Sequence, residues 1–137
     1  MVKQLWINLP VKDVKKSKDF FTKLGFKFNE KFGGGTNSAC LLVGEKEFVV
    51  MLFDEPTFKS FTGKEITNTK LSNEVLFSID AQSKEEVDEM ALKVVEAGGI
   101  CSHKPKAVQG WMYGFVFSDL DGHNWNILYM DLNKIPH

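Results

Sequence analysis

The sequence predicts an α+β fold in which two βαβββ modules follow one another and pair into a cup-shaped mixed β-sheet, with the functional pocket in the cup. Three observations predict it. Residues 2–9 and 73–80 both alternate apolar and polar side chains with a period of two, as half-buried strands do. Each is followed by a capped amphipathic helix and then by three short strand candidates. The closing strands of the two halves also end alike, in Phe48-Val-Val-Met-Leu-Phe-Asp54 and Trp125-Asn-Ile-Leu-Tyr-Met-Asp131.

In the first half, Leu5, Ile7 and Leu9 point one way and Gln4, Trp6 and Asn8 the other, and Pro10 is expected to end the strand. Asp13 is a candidate N-cap for a helix carrying Val14, Phe20, Phe21 and Leu24 on one side, stopped by Gly25. Lys15, Lys16, Lys18 and Lys23 read as its solvated side. Strand candidates at 26–31, 38–43 and 47–53 follow, separated by Gly33-Gly34-Gly35 and the Gly44-Glu45 turn. The triple glycine lacks a following Lys-Ser/Thr and opens no helix, so it reads as a hairpin loop and not a phosphate cradle. Residues 54–72, with Pro56, Gly63 and scattered Phe58, Phe61 and Ile66, read as a connector that could serve as a lid.

The same order then restarts. Val75, Phe77 and Ile79 face one way and Glu74, Leu76 and Ser78 the other. A helix is predicted from Ser83 through Ala97, with Glu86 at the capping-box spacing, closed by Gly98-Gly99. Strand candidates at 100–104, 111–118 and 124–130 complete it, the last two joined by Asp119-Leu-Asp-Gly122. Neither half is large enough to bury both faces of its sheet, so the sheets are expected to pair around a shared space. The chain then reads as one domain over 1–137: module one 1–54, connector 55–72, module two 73–132 and tail 133–137.

The 137 residues are 43% hydrophobic and 26% charged, within the ordinary range for one globular domain. Lys plus Arg at 17 against Asp plus Glu at 18 leaves a net charge of -1, so no global field favours nucleic acid or an anionic membrane. Residues 1–10 are too short and too polar for a signal peptide, and no apolar run is long enough to span a bilayer. A soluble, cytoplasmic protein is expected. Cys40 and Cys101 are then expected to be buried small hydrophobes, although a disulfide between them stays open.

Through Asn8-Leu-Pro-Val-Lys-Asp13, Phe20-Phe-Thr-Lys-Leu-Gly-Phe26, Met112-Tyr-Gly114 and Asp119-Leu-Asp-Gly-His-Asn-Trp125, the chain resembles the vicinal oxygen chelate superfamily. That superfamily includes glyoxalase I, bleomycin-resistance proteins and extradiol dioxygenases. The resemblance covers nearly the whole chain and is nearest to the bacterial subgroup labelled predicted lactoylglutathione lyase. It implies the glyoxalase/bleomycin resistance/dihydroxybiphenyl dioxygenase-like fold and a homodimer. Metal-dependent members place one His, Glu or Gln ligand on each of four cup strands, and carrying those positions across lands on Trp6, Met51, Glu74 and Asn126. Of these only Glu74 is a good ligand for a hard cation. A shift of two residues gives Asn8, Val49, Leu76 and Leu128, which is no better. No metal cofactor is therefore expected.

The histidines do not supply a site: His123 reads as a turn residue, His103 sits on a strand candidate beside Lys104, and His137 ends the chain. Neither Cys40 nor Cys101 has a base at motif spacing. What remains is a pocket of mixed chemistry. Trp6, Met51, Trp111 and Tyr113 offer apolar area, and Asn8, Asn126 and Glu74 offer directional polar groups, as small-molecule sites do. Trp6 and Trp111 can equally be read as core or interface residues. Glu74, on a half-buried face, is expected to have a partner, a raised pKa or a ligand, and is the candidate catalytic residue. Three readings follow: a metal-independent protein binding a small organic molecule; a metal-dependent lyase, isomerase or thiol transferase with Glu74 as ligand and general base; and a non-catalytic interaction protein.

Overall fold

In the computed structural model, which describes residues 1–32 and 35–135, the chain divides into two compact units, Met1–Asn68 and Thr69–His137. Each is α+β, with a mixed sheet and a helix packed on it, in the repeated order that the alternation predicts. Gly33 and Gly34 of the expected hairpin loop lie outside the described residues.

The first unit contains β1 (Ile7–Val11), α1 (Val14–Lys23), β2 (Lys27–Phe28), β3 (Ser38–Val43), β4 (Phe48–Asp54) and α2 (Glu55–Thr62). Its sheet runs β1-β4-β3-β2, with β1 parallel to β4 and the other pairs antiparallel. Pro10 does not end β1, which continues to Val11. A proline is tolerated there because β1 is an edge strand and needs no ladder donor on its outer side. Asp13 caps α1 by accepting the Lys16 amide at 3.0 Å, and Gly25 turns the chain with φ +98°, a conformation glycine adopts without Cβ strain. Phe20 and Phe21, on the face of α1 that meets the sheet, are each 1% exposed and pack edge to face at 5.1 Å. Val11, Leu41, Val50 and Leu52 complete that core.

Residues 55–62 form a helix where a connector was expected. The signals for it are local. Asp54 accepts the Thr57 amide at 3.0 Å as N-cap, Pro56 sits in the first turn where its missing N–H costs nothing, and Gly63 closes the end at φ +69°. Helix α2 packs on β1 and β4, with the Phe61 ring edge-on to Phe53 at 5.0 Å, yet none of its residues is buried. So few apolar contacts make it the element that opens most easily. Phe61→Ala is expected to speed amide hydrogen exchange across 55–62 about tenfold while changing the melting temperature by only about 1–2 °C.

The second unit contains β5 (Leu76–Ala81), α3 (Lys84–Glu96), β6 (Ile100–Cys101), β7 (Lys106–Val108), β8 (Met112–Ser118) and β9 (Asn124–Met130). Its sheet runs β5-β9-β8-β6, with β7 also pairing to β8. Ser83 caps α3 through the Glu86 amide at 3.1 Å. The Glu86 carboxylate returns to the Gln82 amide at 2.6 Å, one residue before the reciprocal position of the capping box. Phe115, Phe117, Trp125 and Ile127 are each buried on the α3 side of the sheet, the Phe117 and Trp125 rings stacked at 6.5 Å. The strand expected over 100–104 keeps only Ile100–Cys101, and β7 follows after a break that includes Pro105. Cys40 and Cys101 are both free thiols, Cys40 buried and Cys101 half-buried.

Candidate functional site

The second sheet has one face against α3 and one turned away from it. In the second unit α3 packs on β5, β6, β8 and β9, so the side chains that alternate with Trp125, Ile127, Phe115 and Phe117 form the open face. Strand register arranges them in rows across the sheet. Leu76 pairs with Asn124 and Asn124 with Ser118; Ser78 pairs with Asn126 and Asn126 with Val116; Asp80 pairs with Leu128 and Leu128 with Gly114. Side-chain bonds confirm the rows. Ser118 Oγ donates to Asn124 Oδ1 at 2.8 Å, Asn124 Nδ2 to Asn73 Oδ1 at 2.9 Å, and Asn126 Nδ2 to Ser78 Oγ at 3.3 Å. The open face thus mixes amides and hydroxyls with Leu76, Val116, Leu128 and Met130.

In the first unit the row on the side of the sheet away from α1 is Asn8, Met51 and Cys40, of which Cys40 is buried, and Phe53 on the same side packs against Phe61 of α2. The likeness of the two closing strands holds at the level of faces. Val50 and Leu52 face the core as Ile127 does, and Val49 and Met51 alternate with them as Asn126 and Leu128 do. Met51 therefore matches Leu128 in position, and Val49 matches Asn126.

The expected site residues fall as follows. Asn8 and Met51 share one row, and Asn126 lies on the open face of the other sheet. Trp6 precedes β1 and is 60% exposed. Glu74 precedes β5, which begins at Leu76, and its side chain is exposed. The half-buried strand position expected for Glu74 is not where the chain puts it, so the desolvation argument for a partner does not apply. Trp111 sits just before β8, half-buried, with its carbonyl accepting the Asp131 amide at 2.8 Å. Tyr113 is on the helix side, in phase with Phe115 and Phe117. Its hydroxyl donates to Asp88 of α3 at 2.6 Å, Lys84 lies 5.7 Å over the ring, and the Asp88 bond pushes its phenol up. Tyr113 ties α3 to β8. The residues missed in the sequence are Ser78, Asp80, Asn124 and Ser118, which the alternation about Phe77, Ile79, Trp125 and Phe117 could have located.

The donor chemistry does not suit the divalent cation that the resemblance implies for metal-dependent relatives. Met51 offers a thioether, Trp6 nothing, and the Asn126 amide is engaged with Ser78. Burial pushes the Cys40 thiol up, which disfavours a thiolate ligand. Among the described residues, no three His, Cys, Asp or Glu side chains are grouped to hold a metal ion. His103 Nδ1 lies 2.9 Å from the Lys104 carbonyl, and His123 belongs to the β8–β9 turn.

That turn is built on one carboxylate. Asp119, 4% exposed, accepts the backbone amides of Asp121 and His123 at 3.0 Å each on Oδ1 and the Trp125 indole Nε1 at 3.1 Å on Oδ2. Burial pushes this carboxyl above its ordinary value of 3.8, against the pull of His123 and of these donors. Thr69 Oγ1 donates to the Asp121 carbonyl at 2.6 Å and Asn73 Nδ2 to the Gly122 carbonyl at 3.1 Å, which ties the approach to β5 to the same turn. The start of β9, and with it Asn124 and Asn126, is positioned by this network.

A sequence profile described as the Glyoxalase/Bleomycin resistance protein/Dioxygenase superfamily matches residues 3–127. Comparison with curated proteins returned no match. Among solved structures, a hypothetical protein, SA1046, from S. aureus is 35% identical with a TM-score of 0.84, covering 94% of this chain and 95% of its own. The fosfomycin resistance protein FosX from Listeria monocytogenes is similar in fold at 20% identity and TM-score 0.68, covering 97% and 98%. A lactoylglutathione lyase from Agrobacterium tumefaciens is similar at 16% identity and TM-score 0.65, covering 98% of each chain. No helix among the described residues is long and apolar enough to cross a membrane.

Proposed function

We propose that this chain, which belongs to the Glyoxalase/Bleomycin resistance protein/Dioxygenase superfamily, binds a small organic molecule on the open face of its second sheet without a glyoxalase-type metal ion. The observation that carries this reading is the make-up of that face. Hydroxyl–amide pairs at Ser78–Asn126 and Ser118–Asn124 stand among Leu76, Val116 and Leu128, so directional donors and acceptors lie beside apolar area. Such a surface recognises an organic molecule carrying amide, hydroxyl or amine groups, and it supplies no converging anionic ligands for a hard cation. Asn8, Met51, Trp6, Glu74 and Trp111 belong to the reading as further candidate contacts. A cytoplasmic homodimer belongs to it as well.

Thermal unfolding against a panel of small polar and aromatic compounds, with and without EDTA, tests the proposal. A cognate compound at a hundredfold its Kd is expected to stabilise the protein by about 2.7 kcal/mol, a rise of about 8–10 °C, unchanged by EDTA. Asn126→Ala should weaken that response about tenfold. Stabilisation by Ni, Zn or Mn alone, lost in Glu74→Gln and matched by no organic compound, would contradict the proposal in favour of a metal-dependent lyase or isomerase.

A further inference from the structure

The side of the first sheet away from α1 is mostly apolar. Its rows are Val49 with Leu42, Met51 between Asn8 and Cys40, and Phe53 between Pro10 and Ser38. Asn8 is exposed, Cys40 is 2% exposed, and Met51 and Phe53 are half-buried. Helix α2 packs on this side, against β1 and β4, where the Phe61 ring meets Phe53. Cys40 lies diagonally across the β3–β4 pair from Phe53, in the next row.

Little holds α2 in place. Phe61 is 62% exposed even against Phe53, and the Lys59–Glu65 ion pair at 2.7 Å, which ties the following chain back to the helix, stands in water. Eight residues are also too few to form a stable helix apart from the sheet. Both ends of the surrounding stretch are anchored. The Asp54 amide donates to the Asn37 carbonyl at 3.0 Å, and beyond the helix Thr69 Oγ1 and Asn73 Nδ2 hold the β8–β9 turn. Residues 64–68 form no helix or strand, so extension there can absorb a movement of the helix. Gly63 stands at φ +69° with nothing within 4 Å of where a Cβ would lie, which leaves room for it to swivel.

We propose that α2 is a lid on the first sheet, hinged at Asp54 and Gly63, and that its opening uncovers Met51 and Cys40 while the sheet stays folded. Phe20, Phe21, Leu41 and Leu52 form the core on the opposite side of that sheet, so lifting α2 leaves them packed. A molecule that reaches Met51 past the helix binds the open state alone. Its apparent affinity is then reduced by the open fraction, and a substitution that loosens α2 raises it. Opening needs only the first unit, whatever the second sheet binds.

Cys40 reports the opening, in the full chain carrying Cys101→Ser so that no second thiol reacts. Burial pushes the Cys40 thiol up and keeps it from a reagent while the lid is closed. With fast reclosing, its labelling rate by dithiobis(nitrobenzoate) follows the open population. Phe61→Ala is expected to speed labelling about tenfold. Gly63→Ala, which removes no contact with the sheet and acts only by straining the left-handed hinge, is expected to speed it about fivefold. In low urea the rate should stay nearly flat, because opening exposes little surface, and climb only where the whole chain unfolds. Val94→Ala, in the buried face of α3, lowers global stability and should leave labelling without urea unchanged. Labelling that neither Phe61→Ala nor Gly63→Ala speeds, or that climbs with urea from the start in step with global unfolding, overturns the proposal. Acceleration by Val94→Ala as large as that by Phe61→Ala overturns it too.

Discussion

Asp119→Ala is expected to lower the melting temperature by about 12–15 °C. The carboxylate accepts from the Asp121 and His123 amides and from the Trp125 indole, and it is almost fully buried. Its removal deprives three donors of their acceptor at once, at about 1–3 kcal/mol for each one left in an apolar setting. A total near 4 kcal/mol converts to the stated shift for a chain of this size. Asp119→Asn separates charge from hydrogen bonding. It keeps an acceptor for the two backbone amides but sets an NH2 group against the indole N–H, so about half the loss is expected. The sign of the pH dependence also follows. Burial raises the folded-state pKa above 3.8, so the folded chain holds this proton more tightly than the unfolded one. The proton-linked part of its contribution is therefore fully present below the ordinary carboxylate value and is lost as the pH rises through the raised one, while the three accepted hydrogen bonds persist. The Asn variant should lack that slope in melting temperature against pH. A melting temperature within about 3 °C of the parent for Asp119→Ala would contradict this account of the turn.

Gly114→Ala is expected to cost about 3 kcal/mol, or about 10 °C, by forcing β8 and β9 apart. A Cβ at position 114 would lie 2.1 Å from the Ile127 carbonyl oxygen and 2.8 Å from Leu128 Cδ2. The second contact is with the end of a flexible side chain, which can swing away. The first is with backbone inside a strand pair, which cannot move without breaking the ladder. Leu128→Ala is therefore expected not to rescue Gly114→Ala, and that failure distinguishes a backbone clash from crowding by a side chain. Because Gly114 and Asn126 sit on the same open face, organic-ligand binding should weaken with it. Chemical denaturation of the single and double variants, with and without a compound that binds the parent, measures both effects.

The fold was legible because strand period and helix caps are local signals. Asp13 with Gly25 and Ser83 with Gly98 bracket the two helices in the sequence as they do in the structure. Asn124–Met130 and Ser38–Val43 end where their patterns end. Helix α2 was missed although Asp54, Pro56 and Gly63 carried its caps, because Phe58, Phe61 and Ile66 make no stripe and the helix buries no residue. Strand β7 was missed because three residues after a proline give no measurable period. The site was harder to read. Tyr113 was assigned to the pocket by residue type, while its phase with Phe115 and Phe117 puts it under α3. Glu74 was assigned to a half-buried strand by extending the alternation two residues past the point where pairing to β9 begins. Ser78 is placed by the alternation on the face of Glu74 and Leu76 but carries no motif that marks it as a site residue, and only register sets it opposite Asn126 and Asp80 opposite Leu128.

The chain keeps the superfamily's fold, and we propose that the open face of its second sheet presents amide, hydroxyl and apolar groups in place of converging metal ligands. Elemental analysis of protein purified without a histidine tag tests that claim most directly. Ni, Zn, Fe and Mn are each expected far below one equivalent per chain, with no change in Glu74→Gln. One equivalent of any of them, retained through dialysis and lost in Glu74→Gln, would contradict it.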